Sequence, residues 1–211
     1  MIRVGHAASG PTRGPLRGAA LAALLAVPPP SPAAPADFVQ QVIAAAVAQA
    51  GRPTRYDGSY RRIPYPGGDV PADVGVCTDV VIRAFRAAGV DLQQRVHEDM
   101  TRAFAAYPRI WGLERPDPNI DHRRVPNLQT YFRRQGVEAA ATRDPRDYAA
   151  GDLVTWMLPG NLPHIGLVSD RRSADGERPL IVHNIGNGPE IEDMLLAFPI
   201  TGHYRYRGGW R

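Results

Sequence analysis

Cys77 is the only cysteine in this chain of 211 residues, which also contains six histidines. Two of these, His164 and His183, stand at the start of one apolar β-type run and at the end of the next. A single thiol cannot close an internal disulfide, so its position is explained by packing, by an intermolecular bond or by chemistry. The chemistry these residue types offer is nucleophilic. A thiolate attacks, an imidazole takes its proton and later returns it to the leaving group, and a polar neighbour holds that imidazole in its working tautomer. Cys77 opens the segment Cys77-Thr78-Asp79-Val80-Val81, where a helix is expected to begin, and free amide donors at a helix start depress a thiol pKa. The competing reading is a small buried hydrophobe, with His164 and His183 as structural strand histidines.

Other polar residues bear on the same region. Asn184 is an alternative orienting group, although strand alternation turns it to the opposite face from His183. His122, beside Asp121 in a loop, is a candidate for shaping a cleft, while His97 and His203 read as surface or structural groups. Zinc is weighed because His164, His183, His122 and Asp121 or Asp152 are suitable ligand types. There is no His-Glu-x-x-His helix and no paired Cys-x-x-Cys, so neither a metal nor a cofactor is expected. The glycines of Asn184-Ile185-Gly186-Asn187-Gly188 form a turn rather than a phosphate loop, because the lysine is missing.

The elements that must position these residues follow from periodicity. Phe38 to Ala50 has helical composition, with Asp37 as its cap and Gly51-Arg52-Pro53 as its stop. Tyr56 to Pro71, rich in Gly, Pro and Tyr, is an irregular approach to the site with one short strand around Arg61 to Ile63. A helix is expected from Cys77 to Gly89, with Val81, Phe85 and Ala88 on its core side, another over Val96 to Tyr107, and a short one from Pro126 to Gln135. Strands are expected at Gly151 to Met157, Ile165 to Ser169, Leu180 to His183 and His203 to Arg207. Helices followed by short strands make an α+β fold, with N-terminal helices packed on a small antiparallel sheet.

Residues 1–36 read as a signal peptide and processing segment. Arg3, Arg13 and Arg17 precede the apolar run Gly18 to Val27, and Ala34-Pro35-Ala36 has a small-x-small cleavage pattern. The run is too short to remain across a bilayer, so the expected product is periplasmic or secreted, with no stable membrane insertion. Residues 37–211 then form a single domain. The whole chain carries 25 basic and 21 acidic residues; without the three leader arginines the balance is nearly neutral, and no basic stripe interleaved with aromatics supports nucleic-acid binding.

The order of Cys77, His164 and His183 resembles the papain-like cysteine hydrolases, specifically the bacterial NlpC-type cell-wall peptidases. The matching pieces are Cys77-Thr78-Asp79-Val80-Val81, Gly151-Asp152-Leu153-Val154, His164-Ile165-Gly166-Leu167-Val168 and His183. The strings Val76-Cys77-Thr78-Asp79-Val80-Val81, Asp121-His122-Arg123-Arg124-Val125-Pro126-Asn127-Leu128 and Ile181-Val182-His183-Asn184-Ile185-Gly186 resemble more narrowly an uncharacterised exported bacterial family allied to that branch. The resemblance implies a papain-like fold and a thiol hydrolase cutting a peptide or amide bond in peptidoglycan. Cys77 would be the nucleophile, His164 the base and His183 the orienter. Asp79, Trp111, Asp121, His122, Arg123, Arg124 and Asn184 are the cleft candidates. Val76 stands where the cell-wall branch commonly has an aspartate, which puts substrate choice in question. The alternatives are a non-catalytic wall-binding or assembly protein and an acyltransferase that accepts an amine.

Overall fold

The computed structural model describes residues 1–2 and 35–209. The leader expected over residues 1–36 lies almost wholly outside the described residues. Among the described residues four α-helices precede most of the strands: α1 (Pro35–Val47), α2 (Cys77–Ala87), α3 (Leu92–Ala103) and α4 (Val125–Arg134). Helix α1 starts two residues ahead of Asp37, which sits in its first turn rather than acting as the cap; proline suits a first helical position because its missing N–H is not needed there. Helix α2 stops where Gly89 takes a left-handed conformation with φ of 82°, as a C-terminal glycine permits. Helix α3 begins four residues before the expected Val96, because the Asp91 carboxylate accepts the Gln93 amide at 3.0 Å and caps the helix there.

No strand forms at Arg61 to Ile63. The Ile63 amide is taken by the Asn119 side chain at 3.0 Å, which leaves it no ladder to join. The strand of this region lies earlier: β1 (Arg55–Tyr56) pairs in parallel with β2 (Val74–Gly75) just ahead of Cys77.

The main sheet is antiparallel throughout. It contains β3 (Glu138–Ala139), β4 (Leu153–Leu158), β5 (Leu162–Arg172), β6 (Pro179–Asn184), β7 (Pro189–Glu192) and β8 (Ile200–Tyr204), in the spatial order β3-β8-β4-β5-β6-β7. β5 is the pivot, paired with β4 through Thr155 opposite Ile165 and with β6 through Leu167 opposite Val182. The expected α+β arrangement of helices on an antiparallel sheet is therefore present.

Strand alternation divides the core in two. Leu153, Ile165, Leu167, Val182 and Tyr204 face the helices, where they meet Val80, Val81, Phe85 and Phe132. Val154, Trp156, Val168 and Ile181 form a second cluster with Tyr148, Met194 and Leu195. Each fully buried Val, Ile or Phe contributes about 1.5–3 kcal/mol relative to exposure, so α2 is anchored to β5 by its own apolar stripe. That anchoring sets its first residue against the strand that carries His164. Among the described residues no helix is long and apolar enough to cross a membrane.

Candidate functional site

Cys77 is the first residue of α2, and the preceding Val76 offers no side-chain cap. The Asp79 amide turns back to the Val76 carbonyl at 3.1 Å, and the Thr78 amide is left to the Cys77 sulfur. Cys77 is 4% exposed, and its sulfur meets the amides of Ile165 and Thr78 and the Tyr56 hydroxyl, all of which favour its anion. Burial outweighs them, and the thiol pKa is pushed up to about 11. In the free protein Cys77 is thus a neutral thiol at the end of a helix that would support a thiolate.

His164 and His183 come together across the β5–β6 pair. His164 Nε2 and His183 Nδ1 are 3.0 Å apart, and the rings stand edge to face with centroids 5.1 Å apart. His183 Nε2 lies 2.7 Å from a Glu192 carboxylate oxygen on β7. The Trp156 ring packs over His164 at 6.0 Å. Burial, and then the charge of His183, lowers the His164 pKa to about 3. Burial also lowers that of His183, with Glu192 acting against it. The β5 amide next to His164 touches the Cys77 sulfur, yet among the described residues no hydrogen bond joins the thiol to either imidazole.

Asp79 and Arg123 are committed to each other. The guanidinium makes a bidentate pair with the carboxylate, Nε to Oδ1 at 2.9 Å and Nη2 to Oδ2 at 2.8 Å, with each side chain 2% exposed. Asp79 also accepts the Val76 amide at 2.7 Å, closing the first turn of α2 from below. Arg123 donates to the Asp57 carbonyl at 3.2 Å and the Ser59 carbonyl at 3.5 Å, and its own carbonyl accepts the Thr78 hydroxyl at 3.1 Å. This clamp fixes the start of the cysteine helix to the loop that follows Tyr56.

The remaining cleft candidates serve mostly as framework. Arg124 donates to the buried Asp121 at 2.9 Å and lies over the Trp111 ring, 4.1 Å from its centroid. Asp121 in turn accepts the Asp117 amide at 2.6 Å. His122 is 2% exposed, and burial followed by the Arg123 charge lowers its pKa to about 3. Asn184 donates to the Gly75 carbonyl at 3.5 Å and accepts the Gly186 amide at 3.0 Å, tying the end of β6 to the strand before Cys77. His203 and Asp152 form a buried structural pair at 2.7 Å, with Arg205 and Arg207 on the same carboxylate. Among the described residues no group of three or more His, Cys, Asp or Glu side chains is arranged to hold a metal.

A cleft of about 730 Å³ lies beside this framework, lined by Tyr60, Arg62 and the stretch Gly112 to Asn119. Cys77, His164 and His183 do not line it. Its wall is built by the Asn119 amide, which donates to Asp117 at 2.7 Å and to the Tyr60 hydroxyl at 3.1 Å. Among the described residues no salt bridge engages the Arg62 or Arg115 guanidinium on its rim.

Two residues of the site escaped sequence reasoning. Tyr56 reaches the thiol only because β1 pairs with β2, a two-residue ladder with no periodic signal. Glu192 reaches His183 only through the register of β6 and β7; the alternation of Pro189-Glu190-Ile191-Glu192 is the signal that marks this segment as a strand.

The family described as "Domain of unknown function (DUF1287)" matches residues 43–206. The chain is 51% identical over 183 residues to the uncharacterized protein YijF of Escherichia coli (strain K12), covering 83% of this chain and 89% of that protein. Among solved structures it is similar to the P60 domain of an antigen from M. avium paratuberculosis, with a TM-score of 0.41 and 14% identity over 82% of this chain and 95% of that one. It is also similar to a lipoprotein-like protein of the NLP/P60 family from Staphylococcus aureus, with a TM-score of 0.42 and 12% identity over 82% of this chain and 42% of that one. By the extent of the family match and by its identity to the Escherichia coli protein, this chain belongs to the DUF1287 family.

Proposed function

We propose that this protein is a thiol hydrolase of the papain-like type, cleaving a peptide or amide bond through an acyl-enzyme on Cys77. The observation that carries the reading is the meeting of the helix start bearing the chain's one thiol, where the Thr78 amide faces the sulfur, with the strand bearing His164, whose Nε2 is held by His183 at 3.0 Å. The Cys77 proton passes to His164 as the sulfur bonds to the substrate carbonyl carbon. The carbonyl electrons move to oxygen, facing the Cys77 amide and the Tyr56 hydroxyl. The C–N bond then breaks, the departing amine takes the proton from His164, and a thioester remains. Water attacks that thioester with His164 again accepting a proton, and the carboxylate product and the thiol are released.

The substrate proposed is a peptidoglycan stem peptide, a choice that rests on the export leader expected over residues 1–36 and on the sequence resemblance. Arg62 and Arg115, on the rim of the 730 Å³ cleft, are the cations offered to a substrate carboxylate, since Arg123 and Arg124 are already paired.

One observation favours the second reading, a non-catalytic wall-binding or assembly protein on the same fold: the thiol is nearly enclosed, and burial holds it neutral. Incubation of the purified protein with peptidoglycan fragments, followed by mass spectrometry, separates the two. New amine and carboxylate ends, absent with Cys77→Ala, are the expected result; conjugates with added amines would mark a transferase. Unchanged fragments that still bind would refute hydrolysis.

A further inference from the structure

We propose that Glu192 is a positioning residue that fixes the tautomers of the His183–His164 pair, so that His164 keeps the lone pair of Nδ1 free to act as a base. This inference rests on the hydrolase reading for its catalytic consequence and on geometry alone for the tautomers. The contact of 3.0 Å between His164 Nε2 and His183 Nδ1 is satisfied equally well in two ways. Either His164 donates from Nε2 to a His183 lone pair, or His183 donates from Nδ1 to a His164 lone pair. In a neutral imidazole one nitrogen donates and the other accepts. The first arrangement leaves the His164 lone pair on Nδ1, and the second puts a proton there and removes the base.

The two histidines by themselves do not choose between these states. Glu192 does, because an ionised carboxylate only accepts. Its oxygen lies 2.7 Å from His183 Nε2, so that nitrogen carries the proton. His183 Nδ1 is then the acceptor, His164 Nε2 is the donor, and the lone pair falls on His164 Nδ1. The titratable groups around His183 are His164 from β5 and Glu190 and Glu192 from β7. Of the two glutamates only Glu192 is hydrogen-bonded to the ring, although Glu190 is the residue directly opposite His183 in the strand register. When His164 takes up a proton at Nδ1, it becomes a cation whose Nε2–H still donates to His183, and the Glu192 charge stabilises it along the chain without a further proton transfer. The Glu192 side chain is 46% exposed, so it can be replaced without opening the core.

The test is the two-bond ¹⁵N–¹H correlation spectrum of the full chain with ¹⁵N-labelled histidine at neutral pH, assigned by His164→Asn and His183→Asn. In the wild type both rings are expected as Nε2–H tautomers. Glu192→Gln, whose amide both donates and accepts, should give a mixture. Glu192→Lys, which only donates, should shift both rings toward Nδ1–H. Glu190→Gln is the control and should leave the spectrum unchanged. A wild-type His183 protonated at Nδ1, or the wild-type pattern retained in both Glu192 variants with native circular dichroism, overturns the inference.

In the fragment assay Glu192→Lys should lower kcat at least about tenfold with KM little changed. A catalytic imidazole held in the wrong tautomer loses up to about 10⁴-fold. Tautomers that shift as expected in a protein that hydrolyses nothing would refute the hydrolase reading and leave the role of Glu192 in the pair standing.

Discussion

Replacing Arg123 with methionine should cost more stability than any other single change at the helix start. The substitution keeps the side chain's length and apolar stem but leaves the Asp79 carboxylate buried at 2% exposure without its cation. Breaking a buried ion pair by removing one partner costs about 3–5 kcal/mol, because the remaining charge stays desolvated. Asp79 keeps one donor, the Val76 amide at 2.7 Å, which places the expected loss near the middle of that range, about 4 kcal/mol. Such a loss is a large part of the roughly 5–15 kcal/mol that holds a domain together.

The assay is urea unfolding of the wild type, Arg123→Met, Asp79→Asn and the double variant. Asparagine still offers an oxygen to the Val76 amide while removing the charge, so the double variant should recover about 2 kcal/mol of the loss expected from adding the single changes. A cost below about 1 kcal/mol for Arg123→Met, or strict additivity in the cycle, would refute the claim that this clamp is an electrostatic unit. The same variant releases the Asp57 and Ser59 carbonyls, so the loop after Tyr56 should show faster amide exchange.

Two further predictions concern pH. His122 and His164 have pKa values lowered to about 3 in the fold and about 6.5 in the unfolded chain. The folded state therefore favours the neutral rings; their contribution is complete above about pH 6.5 and is lost at up to about 1.4 kcal/mol per pH unit for each ring as pH falls. Urea midpoints measured at pH 6.5, 5.5 and 4.5 should decline steadily, and a flat profile over that window would contradict the burial of neutral histidines. For Cys77 the sign runs the other way: an acid whose pKa is raised to about 11 stays protonated at neutral pH, so its alkylation by iodoacetamide should accelerate about tenfold per pH unit from pH 7 to 10. Full reactivity already reached by pH 7 would show a resting thiolate instead.

The sequence by itself carried the local features, because their signals are local. The apolar stripe of α2 and the stop at Gly89 locate a helix beginning at Cys77, and short apolar runs bounded by turn residues identify β4, β5 and β6 as strands. Antiparallel pairing of the last two allows His164 and His183 to lie near one strand end, and the β5–β6 register of the structure brings them together. Asp91 is a local signal of the same kind: an aspartate followed by Leu92 is an ordinary cap, and it starts α3 four residues before Val96.

Tertiary structure decided what each polar residue does. Asp79 and Arg123 are 44 positions apart in sequence, and nothing in either segment shows that two residues read as cleft candidates close on each other. Tyr56 is brought to the thiol by a two-residue parallel ladder, and Glu192 to His183 by the β6–β7 register. Protonation was decided there as well. A helix start predicts a lowered thiol pKa, yet the packing that encloses Cys77 raises it, because desolvation depends on neighbours that arrive from every part of the chain.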